Sequence, residues 1–113
     1  MWHLTTHRWV GSQATAVAAA IKDGTLAAHL TWMREQQLAG KVLMAGPANR
    51  FELGIIVFGH LSEEAVHELC RSEPLIAAGY RNYDSIAWDV HHVLGIGQFE
   101  LPAPVVGPTG ADR

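Results

Sequence analysis

Residues 2–9, Trp-His-Leu-Thr-Thr-His-Arg-Trp, interleave polar and bulky side chains with a period of two. Successive side chains of a strand point to opposite faces, so Trp2, Leu4, Thr6 and Arg8 are expected on one side and His3, Thr5, His7 and Trp9 on the other. Gly11 ends the alternation, and Ser12 is placed to cap a helix through the alanine-rich residues 14–22. Asp23-Gly24-Thr25 interrupts that helix or offers Thr25 as the N-cap of a second part. The second part should run to Ala39 and stop at Gly40, the usual C′ residue.

A short strand over residues 41–47 ends at Gly46-Pro47, residues 49–52 make a turn, and residues 53–59 form a strongly apolar third strand. Ser62 suits the N-cap of the next helix, with Glu63 and Glu64 at the positive end of its dipole. Ala65, Val66, Leu69 and Cys70 recur at helical spacing and form its buried stripe. Pro74 must end that helix and can open a short new one, closed by Gly79. Residues 82–91 read as the fourth strand, with Ile86, Trp88 and Val90 on one face.

The order β-α-β-β-α-β, with a split first helix, is the α+β ferredoxin-like pattern. It predicts one four-stranded antiparallel sheet with both helices on one face. The third and fourth strands carry apolar residues on both sides, so the second face needs a cover as well. Pairing two such sheets face to face gives a homodimeric α+β barrel. One domain is expected over residues 1–99, followed by a polar, Gly/Pro-rich and partly disordered tail over 100–113. Val93, Leu94, Ile96 and Phe99 are too apolar for a solvated extension, and are expected to pack on the dimer or on a higher-order partner.

Composition narrows the function. A chain of 113 residues, about half of them hydrophobic, suits one globular domain. Four Trp and a mean hydropathy of +0.08 leave apolar surface for a subunit contact. Net charge is −3 and the eight Lys and Arg are scattered, which argues against nucleic-acid binding. The one cysteine, Cys70, excludes an intrachain disulfide and a Cys-based zinc site, and its spacing marks it as a small buried hydrophobe. The N-terminus has no long apolar segment of the secretory type, and no run of 18 apolar residues could span a membrane. The expectation is a cytoplasmic protein without membrane attachment.

Candidate chemistry starts at His29. With Leu26 at the origin of a helical wheel, Leu30, Met33 and Gln37 fall within about 40° of it, His29 about 60° to one side, and Trp32 further round. His29 therefore sits on the margin of the apolar stripe, where a pocket between helix and sheet would be lined. A lone helix histidine is more often a structural hydrogen-bonder; as a base it needs a partner that fixes its tautomer, normally a carboxylate. Trp32 and Tyr80 are candidates to line the same pocket, and either is equally at home in the core. Gly46 would let a ligand approach the backbone closely. Arg8 could hold a substrate carboxylate through a bidentate contact, or lie on the surface. Seven histidines invite a metal reading, but no HExxH or carboxylate–histidine cluster has ligand spacing, so no metal is expected. No P-loop, GxGxxG or GxSxG motif supports a phosphate cofactor or a serine hydrolase.

The ordered combination "AAHLTWM", "LAGKVLMAGP", "LGIIVFGHLSEEAVHELCRSEPLIAAGY" and "IAWDVH" resembles the YCII-related family. These are small dimeric α+β barrel proteins, related in fold to muconolactone isomerase and to cofactor-independent antibiotic-biosynthesis monooxygenases. The resemblance implies a helix histidine paired, in a pocket, with the acidic residue before a proline. By position these are His29 and Glu73. The family's acid is Asp; Glu is one methylene longer and a poorer N-cap, so it reaches further and is less fixed locally. The implied activity is a cofactor-independent lyase- or isomerase-type proton transfer on a small molecule, with His29 as general base and acid and Glu73 orienting it. A non-catalytic ligand-binding or accessory protein on the same barrel is the alternative. A cofactor-free monooxygenase rests on fold analogy alone.

Overall fold

The computed structural model describes residues 1–94 and the backbone of residues 97 and 98. Its main sheet is built from β1 (Trp2–Trp9), β2 (Val42–Ala48), β3 (Leu53–Phe58) and β4 (Arg81–Trp88), in the order β2-β3-β1-β4. All three pairings are antiparallel. α1 (Gln13–Lys22) and α2 (Thr25–Leu38) connect β1 to β2, while α3 (Glu63–Ser72) and α4 (Pro74–Ala77) connect β3 to β4. This is the expected α+β ferredoxin-like arrangement, with the first helix split.

The alternation in β1 decides what faces the helices. His3, Thr5 and His7 are buried, while Trp2, Leu4 and Thr6 are half-buried and Arg8 is exposed. The register places His3 beside Phe58, Thr5 beside Ile56 and His7 beside Gly54. Phe58 and Ile56 join Trp32, Val42, Val66 and Cys70 in one core cluster between the sheet and the helices. Cys70 is fully buried there, and burial pushes its thiol up to about 12, so it is an inert part of the core.

The helix ends follow local chemistry, with one correction. Ser12 Oγ accepts from the Thr15 amide, and Ser62 Oγ accepts from the Ala65 amide, as expected. Thr25 is not an N-cap but the first residue of α2. Gly24, with φ of 85°, takes the cap position, and the Asp23 carboxylate accepts from the Thr25 amide at 2.9 Å. Gly24 can hold this left-handed conformation without a Cβ penalty, which a threonine there could not.

Two strand ends also differ from expectation. β2 continues through Gly46-Pro47 to Ala48; as an edge strand it has room for a proline that donates no hydrogen bond. The turn then falls on Asn49, Arg50 and Phe51, all with positive φ (49°, 57° and 71°). β4 stops at Trp88, so Val90 is not on a face with Ile86 and Trp88: it is buried, while those two are 55% and 41% exposed. Beyond β4, His92–Val93 pairs with Gly97–Gln98 in a two-stranded ribbon. Leu94 is fully exposed, and the remainder of the apolar extension and the tail at 100–113 lie outside the described residues.

Candidate active site

A cavity of about 890 Å³ opens between α1–α2 and the part of the sheet formed by β2, β3 and β1. Leu26, Leu30, Met33 and Gln37 line it, so the stripe predicted as the buried face of α2 is the wall of the cavity. Leu30 is accordingly 62% exposed. The core side of α2 is carried by Trp32, and His29 sits between the two faces, with its side chain 12% exposed.

Glu73 meets His29 across this boundary. It caps α4: its backbone is extended (φ −64°, ψ 125°) and its Oε1 accepts from the Leu75 amide at 3.1 Å. Pro74, at the first helical position, has no N–H to satisfy, so the Leu75 amide is the first that needs a cap. The same Oε1 lies 2.5 Å from His29 Nδ1, and the Glu73 side chain is fully buried. The extra methylene thus does not sacrifice the cap for the reach across the pocket; one oxygen serves both. Burial pushes the carboxyl up, but the hydrogen bond from His29, that residue's charge and the Leu75 amide outweigh it, so Glu73 lies below the ordinary carboxylate value. An ionised Glu73 can only accept, so Nδ1 carries the proton and Nε2 is the nitrogen left for a ligand.

Two cavity-lining groups had no sequence signal as site residues. His7 is 1% exposed, with Nε2 2.7 Å from the Thr5 hydroxyl, while Nδ1 is buried without a partner. Desolvation lowers its pKa to about 4 against the opposing pull of Glu73, with Arg81 and His29 adding to the lowering, so it is neutral at physiological pH. Arg81 is buried on β4, beside Trp9 in the register, and its Cζ lies 4.1 Å from the Trp9 ring centroid. Period-two alternation placed His7 on the inner face, but nothing in the sequence said that a cavity, and not core, lay above it.

The other candidates fall in different places. Gly46 lines the cavity on β2. Arg8 is exposed, on the opposite face of β1 from His7, and is not part of the lining. Trp32 packs in the core behind α2, not against the cavity. Tyr80 is also outside: its hydroxyl donates to Asp23 Oδ2 at 2.5 Å and ties the α1–α2 turn to the start of β4. That contact, behind the one from Thr25, holds Asp23 below the usual carboxylate range and raises Tyr80. Among the described residues, no group of three or more His, Cys, Asp or Glu is placed to hold a metal ion, and no helix is long and apolar enough to cross a membrane.

Comparison with known proteins agrees with this architecture. The family model for the YCII-related domain matches residues 8–89. A solved structure of 5-chloro-2-hydroxyhydroquinone dehydrochlorinase from Burkholderia phenoliruptrix AC1100, in complex with 2,5-dihydroxybenzoquinone, has a similar fold, with a TM-score of 0.63 at 18% identity. The match covers 80% of this chain and 95% of that one. No curated protein sequence matches the chain.

Proposed function

This chain belongs to the YCII-related domain family, and on that premise we propose that it is a cofactor-independent enzyme moving a proton on a small molecule, of lyase or isomerase type. The observation that carries this reading is the direct His29–Glu73 pair at the edge of an apolar cavity large enough for a small molecule. His29 Nε2 takes a proton from an acidic carbon or hydroxyl of the ligand. Nδ1–H stays on Glu73, whose carboxylate stabilises the imidazolium. Returning the proton to another ligand atom gives an isomerisation. If a halide leaves with its bonding pair and the proton passes to water, the result is an elimination. The dehydrochlorinase on a similar fold makes halogenated hydroxyquinols a sensible first class to test.

Under the same reading, residues 1–99 form the functional domain and two sheets pair through the face that carries Met44, Ile86 and Trp88, which are 65%, 55% and 41% exposed. The homodimer, its cytoplasmic setting and any higher-order contact through the C-terminal extension are part of this proposal.

The test is a panel of 5-chloro-2-hydroxyhydroquinone, cyclic α-halo ketones and cyclic 1,3-diketones in deuterated water. Chloride release and carbon-bound deuterium would be followed for the wild type and for His29→Gln. Wild-type acceleration lost in His29→Gln is expected. Ligand binding without acceleration anywhere in the panel would favour the ligand-binding alternative.

A further inference from the structure

Arg81 is 9% exposed, yet among the described residues its side chain has neither a hydrogen bond nor an ion pair, and its Nε is enclosed without a partner. It is held by shape. The guanidinium stacks on Trp9 at 4.1 Å, and its NH1 fills the notch left by Gly54, where a Cβ would stand 3.1 Å away. Trp9, Gly54 and Arg81 all line the cavity that His29 lines. Burying a cation without an acceptor is costly, and a guanidinium presents five N–H donors in a planar fork that matches a carboxylate. Glu73 supplies favourable charge to Arg81. Its Oε1, however, is committed to His29 and Leu75, and its Oε2, buried without a partner, makes no hydrogen bond to the guanidinium. A second orphan, His7 Nδ1, is enclosed on a residue that lines the same cavity.

We propose that Arg81, seated between Trp9 and Gly54, is the anion-binding group of this cavity. The ligand is then a small organic monoanion: its carboxylate, or ionised enol or phenol, docks on the guanidinium while its apolar body lies against Leu26, Met33 and Ile56. The walls argue against inorganic phosphate, since Leu26, Met33 and Ile56 offer it nothing. The inference names the ligand class for the reaction proposed above and rests on that reading for its meaning, but anion binding itself needs no proton transfer.

Calorimetric titration of the full chain with benzoate, phenylacetate and hexanoate, each against its neutral amide, tests the proposal. At least one acid is expected to bind about tenfold or more tightly than its amide, the difference made by one charge-assisted contact. Arg81→Met should erase that preference, and Gly54→Ala should weaken acid binding by crowding the guanidinium. Arg81→Lys, which keeps the charge but not the fork, serves if Arg81→Met does not fold, and should still weaken acid binding. His29→Gln should lose proton exchange but keep the preference for acids, which separates this proposal from the proton-transfer reading. Acids and amides binding alike, no binding of any acid, or a preference that survives both Arg81 variants would overturn it. Loss of the preference in His29→Gln alone would place the anion on His29 and overturn it equally.

Discussion

A single oxygen of Glu73 accepts from both His29 Nδ1, at 2.5 Å, and the Leu75 amide, at 3.1 Å. The carboxylate is therefore fixed twice, by the backbone it caps and by the histidine it orients. Glu73→Gln keeps an acceptor oxygen but loses the charge, and should cost about 1.5–3 kcal/mol, the range for a hydrogen bond to a charged group. Glu73→Asp brings in the family's acid and retains the cap, but on this backbone, one methylene shorter, it should lengthen the 2.5 Å contact to His29, so its loss should be smaller while the histidine gains mobility. Urea unfolding gives the stabilities and histidine side-chain NMR gives the mobility.

His7 sets a pH dependence. In the folded chain its pKa is lowered from 6.5 to about 4 by desolvation. Between those values the unfolded chain binds a proton that the folded chain refuses, so stability rises with pH there and falls as pH drops. The loss from pH 6.5 to 4 is about 3 kcal/mol. Thermal unfolding across that window should show the slope, and His7→Gln should remove most of it.

The two faces of α2 should respond differently. Trp32 is packed against Val42, Phe58 and Val66, so Trp32→Ala should cost about 3–5 kcal/mol, as large-to-small core changes do. Leu30 stands at the cavity wall, 62% exposed, and Leu30→Ala should stay within about 0.5 kcal/mol. Chemical denaturation of the two variants separates them.

The open sheet face gives an assembly test. Ile86 and Trp88 are on its exposed side, and a second copy covering them would remove both from water. Sedimentation of the full chain is expected to give a dimer, and Ile86→Asp a monomer that retains the far-ultraviolet circular dichroism of the fold.

Much of the fold was legible because its signals are local. The alternation of residues 2–9, the caps at Ser12 and Ser62, and Pro74 at a helix start each need only a few neighbours in sequence. The face of α2 was harder. A wheel ranks residues by apolarity, and the cavity wall is as apolar as a core, so Leu26, Leu30 and Met33 read as buried and Trp32 as marginal. The partner of His29 lies 44 residues away and came from family resemblance, not from spacing. Arg81 carries no sequence signal for a physical reason: a buried cation is recognisable only once its neighbours are placed. Arg8, a candidate by residue type alone, points to the other side of the sheet.

The most direct test of the proposed mechanism is the tautomer of His29, read by proton–nitrogen NMR on the free protein at neutral pH. A proton is expected on Nδ1, shifted strongly downfield by the Glu73 carboxylate, with Nε2 bare and perturbed when a ligand enters the cavity. A proton resident on Nε2 with Nδ1 bare would mean that Glu73 is the donor and that His29 has no free base to offer, and would contradict it.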